Sequence, residues 1–375
     1  MKKHAVIISC FDHYERMIYW DQSAQDLGYW TTYIAADFSH GAKTKYVCPV
    51  KGCKQIHVMP YRKNLSIQRV LSHRMFAKKL YEYLIDEQPE IVISLIPPNF
   101  ITKYLAKFKK KHPECKVVFD IYDLWPESFP SSGLKKILAP AFRVWGNLRN
   151  NYLPAADYVT AECGMYLDRL QWHKENARVI YFSLPPYQDK EEPLPSLPTD
   201  RAEIAYLGSI NNIIDIDKIV AILAGIAQHM PTTLHVIGDG ESREQLCERT
   251  SAAGVHVVFH GKIFDEDQKH KILSGCHFGL NIMKDSVCIG LTMKSVDYLR
   301  HGLPLINNIP HDTKDFIEQY HAGIHFRTAE QTIQDACHAI YQDNTQMHHA
   351  AIRLFRENFD SKIHLAHCTQ ILKEI

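Results

Sequence analysis

GLTMKSVDYLRHGLPLI occupies residues 290–306 of the chain. The entry at 290–292 predicts a flexible turn, and the residues after it predict a short helix that ends at Gly302. Pro304 then marks the start of a strand. Turn, helix and strand in this order are typical of an alternating α/β chain, and the amides at a helix start are suited to bind a phosphate.

The same alternation runs along the whole chain and predicts two parallel sheets covered by helices. The first half predicts strands at 4–9, 30–35, 55–58, 91–95, 116–120, 158–160 and 178–181. The second half predicts strands at 203–207, 233–237, 255–259, 278–282, 305–307 and 323–325. The clearest helical patterns cover 67–86, 215–228, 241–253, 265–273 and 293–300.

A proline-rich stretch separates the two halves. Residues 184–198 hold Pro185, Pro186, Pro193, Pro195 and Pro198, which exclude regular structure and indicate a linker. We therefore expect one domain at 1–183, a linker at 184–200 and a second domain at 201–375, with the last helix a candidate to pack back on the first domain.

Composition excludes several classes of protein. With 375 residues, 46% hydrophobic and 23% charged, the chain has an ordinary globular balance. It holds no run of 18 apolar residues, and its start is too short for a signal peptide. Ten cysteines are scattered without a disulfide spacing, which favours a reducing compartment. We expect a cytoplasmic protein.

Lys294 is the most informative charge. It lies in the first turn of the predicted helix 293–300, where the helix dipole disfavours a cation. A bound anion would offset this unfavourable interaction with the helix dipole. The alternative is a solvated surface lysine.

Three further turns follow predicted strands of the second half and offer polar or glycine backbone groups for a nucleotide. Each turn alone is weak evidence. Together they fall at successive strand ends of one predicted sheet, where doubly wound folds bind ligands. The candidate donor-binding residues are Gly208, Ser209, Asn211, Asn212, Gly238, Asp239, Gly240, His260, Gly261, Lys262, Gly290, Leu291 and Thr292.

These motifs resemble the donor domain of GT-B glycosyltransferases, close to retaining glycosyltransferase family 4 and related bacterial capsule and exopolysaccharide enzymes. The family pattern Gly-x-x-x-Lys-x-x-Glu-Tyr-x-x-x-Gly-x-Pro-x-Ile is matched by Gly290, Lys294, Asp297, Tyr298, Gly302, Pro304 and Ile306, with aspartate in place of glutamate. In the first half, DIYDLWPES at 120–128 is similar to an Asp-x-x-Asp-Leu-Trp-Pro-Glu segment of related sugar transferases. The resemblance implies two Rossmann-like α/β domains facing across a cleft.

The resemblance also implies an activity. We expect a metal-independent, retaining hexosyltransferase that moves a sugar from a nucleotide-sugar donor, with UDP favoured, to a saccharide or lipid-linked acceptor in bacterial cell-surface polysaccharide assembly. No metal is expected, since no Asp-x-Asp motif stands in a donor context. The nucleotide-sugar is expected as a substrate rather than as a cofactor, and no nucleic-acid partner is expected. The candidate catalytic residues are Lys294, Asp297, Asp123 and Glu127, and the candidate acceptor-side residues are His13 and Arg16.

Two alternatives to an active glycosyltransferase stay open. A nucleotide-sugar 2-epimerase uses the same fold, and an inactive homologue that partners another transferase is favoured by Ile289, which stands where many members carry a first glutamate. For Asp123, an alternative role is to cap the turn around Trp125. A dinucleotide oxidoreductase is disfavoured, because no Gly-x-Gly-x-x-Gly follows the first strand.

Charge is distributed unevenly along the chain. Residues 1–180 carry 26 Lys+Arg against 17 Asp+Glu, a balance of +9, whereas the remainder carries 17 against 25, or −8. We expect the first half to contact anionic membrane peripherally. The residues that suggest this contact are Lys103, Lys107, Lys109, Lys110, Lys111, Arg143, Trp145, Arg149 and Tyr152.

Overall fold

The computed structural model describes residues 3–11, 14–128, 138–187 and 196–375. His13, Pro193 and Pro195 lie outside the described residues. The chain divides into two compact units. The first unit comprises Met1–Tyr181 together with Lys362–Ile375, and the second unit comprises Phe182–Ser361.

The described part of the first unit contains a parallel sheet of seven strands in the order β3-β2-β1-β4-β5-β6-β7. The strands are β1 His4–Cys10, β2 Trp30–Ala36, β3 Lys54–Ile56, β4 Ile91–Ile96, β5 Lys116–Ile121, β6 Tyr158–Ala161 and β7 Ala177–Val179. The helices are α1 Glu15–Asp26, α2 Ile67–Glu87, α3 Phe100–Lys111, α4 Ala139–Asn150 and α5 Gly164–Leu170. β1 and β4 are buried along their whole length, as expected for central strands covered on both faces.

The apolar spacing of α2, in which Val70, Leu71, Phe76 and Leu80 recur, predicts its buried face only in part. Phe76 and Leu80 are fully buried, whereas Val70 and Leu71 are 36% and 43% exposed. The helix instead buries Arg69, Ser72 and His73 ahead of its apolar residues. Polar contacts described below account for this difference.

The described part of the second unit contains a parallel sheet of six strands in the order β10-β9-β8-β11-β12-β13. The strands are β8 Ala202–Leu207, β9 Thr232–Ile237, β10 His256–Gly261, β11 Phe278–Asn281, β12 Leu305–Asn307 and β13 Gly323–His325. The helices are α6 Ile216–Ala227, α7 Arg243–Ala252, α8 Glu266–Leu273, α9 Met293–Arg300, α10 Asp312–Tyr320, α11 Ala329–Tyr341 and α12 Thr345–Asn358. Its core joins the sheet to α6 and α11, with Ile204, Leu234 and Phe278 fully buried.

A last helix, α13 at Ser361–Glu374, belongs to the first unit from Lys362 onward. The ring of His364 lies 4.8 Å from the ring of Tyr19 on α1. Ser23, also on α1, donates to the Leu365 carbonyl at 3.3 Å. Cys368 and Ile371 are fully buried on the inner face of this helix.

Candidate functional site

Three turns at the carboxyl ends of β8, β9 and β10 contact each other through their backbones; we call residues 208–212, 238–240 and 260–262 the glycine turns. Gly208 N donates to Ile237 O at 2.9 Å, and Gly238 N donates to Gly261 O at 2.7 Å. Ile210 N donates to Asp239 O at 3.0 Å. The expectation that these turns adjoin at one sheet edge is confirmed.

Two glycines allow this contact. A Cβ on Gly238 would lie 2.0 Å from Gly208 O, and a Cβ on Gly240 would lie 2.2 Å from Ile210 O. Gly208 and Gly238 also have positive φ angles of 105° and 139°. Only glycine combines that conformation with such a close approach.

Some polar side chains of the glycine turns are exposed, whereas others accept hydrogen bonds from nearby backbone amides. Ser209, Asn212 and Lys262 are exposed. By contrast, Asn211 Oδ1 accepts from Ile213 N at 3.2 Å, and Asp239 Oδ1 accepts from Gly240 N at 2.9 Å.

His260 is engaged as well. Its Nε2 lies 3.0 Å from Nδ1 of His235, whose Nε2 lies 3.1 Å from a Glu203 carboxylate oxygen. A base contact at this turn would therefore use backbone groups rather than the His260 ring.

The start of α9 is fixed by a chain of buried amide and hydroxyl groups. Thr292 caps the helix, since its Oγ1 accepts from Ser295 N at 3.1 Å. The same hydroxyl donates to Asn281 Oδ1 at 3.0 Å, and Asn281 Nδ2 donates to Asn307 Oδ1 at 2.8 Å. Gly290 O accepts from Thr313 N at 3.0 Å. The helix start is thus attached to the ends of β11 and β12 and to the first turn of α10.

Lys294 is not a solvated surface lysine. Its Nζ is buried and has no hydrogen-bond partner among the described residues. The nitrogen lies over the Tyr206 ring, 4.7 Å from its centroid. Burial lowers the pKa of this ammonium to about 7. A buried ammonium nitrogen without a hydrogen-bond partner is suited to an anion, because a bound anion would supply the missing acceptor.

Asp297 has a structural set of partners. Its Oδ2 accepts from Lys269 Nζ at 2.7 Å, and Lys269 also holds Glu266 at 2.9 Å. Arg300 contacts the other Glu266 oxygen at 2.6 Å. Burial alone would raise the pKa of Asp297, but His301 and Lys269 hold it below its usual value.

Glu266, Asp297 and His301 bring three potential ligand atoms within 4.8 Å of one another. Lys269 and Arg300 already neutralise the two carboxylates, so a divalent cation here would face two resident positive charges. The cluster fits an ion-pair network between α8 and α9, and the Asp297 carboxylate contributes to it rather than to an open surface.

Tyr298 positions α9, a role that sequence reasoning missed. Its hydroxyl accepts from Leu207 N at 2.5 Å, directly before the first glycine turn. Its ring fills the space above Gly279, where an added Cβ would lie 2.8 Å from the ring. The tyrosine in the quoted stretch was the available signal, but its buried partner could not be identified from spacing.

In the first unit, Asp123 and Glu127 both hold their own loop. Asp123 accepts from the Trp125 indole and, at 2.5 Å, from Ser128 Oγ. Burial raises the pKa of Asp123. Glu127 forms an ion pair of 2.6 Å with the fully buried Arg149. These contacts agree with the alternative role of Asp123, which is to cap the turn around Trp125.

Arg16 lies in the core rather than at a substrate surface. Its guanidinium forms two hydrogen bonds, of 2.8 and 2.7 Å, to the fully buried Asp120, and a third of 2.6 Å to Ile180 O. Trp20 Nε1 and Thr160 Oγ1 complete the shell of Asp120 at 2.9 and 2.8 Å. The side chain is 6% exposed, and these three bonds direct it into the core rather than towards a bound substrate.

Residues 201–343 match the family described as Glycosyl transferases group 1. This range holds the glycine turns and α9, and excludes the first unit. No curated protein matches the chain.

Solved structures share the fold over the whole chain. Anabaena HepE in complex with UDP is 13% identical, covers 100% of both chains and has a TM-score of 0.66. The lipopolysaccharide outer core galactosyltransferase WaaB is 14% identical over 99% of both chains, with a TM-score of 0.65. MurG of Acinetobacter baumannii is 10% identical over 100% of both chains, with a TM-score of 0.55. The predicted fold class, two Rossmann-like α/β domains of the GT-B type, is confirmed.

Together, the family match and the fold neighbours support a glycosyltransferase on a GT-B fold. None of the helices in the described ranges has both the length and the apolar character needed to cross a bilayer.

Proposed function

We propose that this chain is a glycosyltransferase that binds a nucleotide-sugar, with UDP favoured, on its second unit. The carrying observation is the buried Lys294 ammonium, which has no hydrogen-bond partner among the described residues. A diphosphate bound at the start of α9 would supply that partner and would also meet the helix dipole. The exposed Ser209 and Asn212 can add donors from the first glycine turn.

The chemistry follows from charge development. As the bond between the anomeric carbon and the β-phosphate oxygen breaks, the departing diphosphate gains negative charge. The acceptor hydroxyl oxygen forms the new bond to the anomeric carbon, and its proton passes to the departing diphosphate or to water. Preorganised donors stabilise such a transition state most when they need no reorganisation. Lys294 meets this condition, because its nitrogen already lies at a fixed place over Tyr206.

The finer assignment is a retaining, metal-independent hexosyltransferase of cell-surface polysaccharide assembly that uses no separate cofactor, with a saccharide or lipid-linked acceptor on the first unit. Support comes from the family match of residues 201–343 and from WaaB, which is described as a lipopolysaccharide outer core galactosyltransferase. Because Asp297 forms an ion pair with Lys269, we assign its carboxylate the role of positioning α9.

Calorimetry with UDP, GDP and dTDP, each with and without a chelator, tests the donor proposal. UDP is expected to bind most tightly and equally well after chelation. Absence of binding by all three nucleotides would contradict the donor site, and loss on chelation would contradict metal independence. Product analysis with the UDP-sugar alone separates transfer from a 2-epimerase, which would interconvert the sugar without an acceptor.

We also propose a peripheral contact between the first unit and anionic membrane. Lys103, Lys107, Lys110 and Lys111 on α3 are exposed. An apolar groove of about 840 Å³, lined among others by Ile67, Phe142, Val144, Trp145 and Tyr152, lies between α2, α3 and α4. Lys109 does not contribute, because it forms an ion pair of 2.7 Å with Asp157, and Arg149 is buried.

A further inference from the structure

A small cavity of about 130 Å³ in the first unit lies at the carboxyl ends of β1, β4 and β5. Its wall includes Cys10 from β1, Pro97 after β4 and Asp123 after β5. In this sheet the strand order reverses between β1 and β4. Ligands of doubly wound sheets bind at such a reversal, so the position itself indicates a binding site.

One wall of the cavity carries a buried cation. Arg69 is 4% exposed, and its guanidinium lies over the Trp125 ring at 3.9 Å. It donates to His73 Nε2 at 3.3 Å and to Asn64 O at 3.1 Å. Within the described ranges, no carboxylate lies at ion-pair distance from this guanidinium. Asp123, which also lines the cavity, accepts from Trp125 and Ser128 instead.

A buried hydrogen-bond donor stands beside this cation. An arginine nitrogen can only donate, so His73 Nε2 is the acceptor and the proton of the neutral ring is on Nδ1. That Nδ1 is buried and has no partner in the part of the chain described.

The two histidines of the wall add no charge of their own at neutral pH. Burial, with Arg69 and Lys43 nearby, lowers the pKa of His40 to about 3, and burial together with Arg69 lowers that of His73 as well. Burial raises the pKa of Asp123, against the opposing effect of its hydrogen bonds from Ser128 and Trp125. Lys43, which does not line the cavity, has its Nζ 3.3 Å from His40 Nδ1.

We propose that this cavity binds a single oxyanion, a phosphate or carboxylate group carried by the acceptor, with Arg69 as its counter-ion and His73 as a hydrogen-bond donor. The assignment to an acceptor rests on the proposed function; the anion site itself does not. A volume of about 130 Å³ has room for about four waters, which suits one such group and not a chain of sugars. Arg69 and His73 therefore select acceptors by charge.

Binding of inorganic phosphate and of acetate, at constant ionic strength and with saturating UDP, tests the proposal. UDP occupies the anion site predicted at Lys294, and the two probes distinguish phosphate from carboxylate. Arg69→Gln is expected to weaken binding of the preferred probe at least tenfold. Arg74→Gln, which changes an exposed arginine on the same helix, is expected to leave it unchanged.

A second variant covers the case in which Arg69→Gln does not fold. His40→Asp adds a negative charge to the cavity wall while keeping Arg69, and it is expected to abolish binding of the preferred probe. Probe binding that is undiminished in a folded Arg69→Gln or His40→Asp variant would overturn the proposal. So would a wild-type protein that binds UDP but neither probe, and that result would leave the transferase function standing.

Discussion

At the scale of single residues, the anion-binding role proposed for Lys294 carries a cost to the stability of the empty protein. Its ammonium is buried without a hydrogen-bond partner among the described residues. A buried polar group left without a partner costs about 1–3 kcal/mol, and more when charged. On the proposed function, Lys294 therefore lowers the stability of the empty protein and strengthens binding of the donor, a trade-off that is common at functional residues.

Lys294→Met is expected to raise stability and weaken UDP binding in the same protein. Methionine keeps the stem over Tyr206 and removes the charge, so the free energy of unfolding should rise by about 1–3 kcal/mol. UDP binding should lose about 1.5–3 kcal/mol, roughly ten- to a hundredfold in Kd. Denaturant titration and calorimetry measure both, with the exposed Lys284→Met as control. Wild-type affinity in Lys294→Met would remove this residue from the donor site.

UDP affinity is expected to fall as the pH rises above 7. In the free protein the pKa of Lys294 is about 7, because of burial. A bound diphosphate favours the ammonium and raises that pKa, so binding takes up a proton above pH 7 and weakens by up to tenfold per pH unit. Calorimetry in buffers of different ionisation enthalpy counts the proton. Equal proton uptake by Lys294→Met would assign the effect to another group.

The same shift has the opposite effect on the empty protein. The folded pKa lies below that of the unfolded lysine, so the unfolded chain binds more protons between pH 7 and about 10.4. The contribution of Lys294 to the free energy of unfolding therefore rises with pH in that window, while UDP affinity falls.

At the scale of elements, the glycine turns depend on backbone contact. Gly238→Ala is expected to reduce the free energy of unfolding by about 1–3 kcal/mol more than Gly254→Ala does. Both glycines have positive φ, but a Cβ would lie 2.0 Å from Gly208 O at Gly238 and would meet nothing within 4 Å at Gly254. Thermal unfolding of the two variants measures the difference. Equal losses of unfolding free energy in the two variants would show that the turns at Gly208 and Gly238 can move apart without loss of stability.

Most elements could be predicted from the sequence because buried parallel strands give continuous apolar runs. Leu305–Asn307, Gly323–His325 and Met293–Arg300 have the predicted bounds. The polar part of the buried face of α2 could not be predicted, since Arg69 and His73 are buried by polar contacts around a cavity. Apolar periodicity carries no information about such contacts.

The candidate site, like the fold, could be predicted only in part from the sequence. The adjacency of the glycine turns follows from strand order, which alternation predicts, whereas their binding of a donor stays a prediction. The partners of Asp297 and Arg16 lie 28 and 104 residues away in the chain. Only tertiary structure identifies those partners, and they turn two candidate site residues into parts of ion-pair networks.

At the scale of the whole molecule, the charge asymmetry predicts salt-dependent membrane contact. Lys103→Glu with Lys110→Glu is expected to weaken co-sedimentation with anionic vesicles more than tenfold, since each basic residue near the surface contributes about 1 kcal/mol. Lys271→Glu with Lys284→Glu, exposed on the second unit, is the matched control. Screening should weaken wild-type binding as salt rises. Equal binding to neutral and anionic vesicles would contradict the proposal.

Helix α13 follows the second unit in the chain but packs on the first. After Tyr181, a ribosome therefore makes the 180 residues of Phe182–Ser361 before the rest of α13, whose partners Tyr19 and Ser23 on α1 already exist. At about 5–20 residues per second this interval lasts about 10–40 s. During that time the first unit lacks Cys368 and Ile371, which are fully buried in the folded protein. The unit that is synthesised first is the one that is completed last.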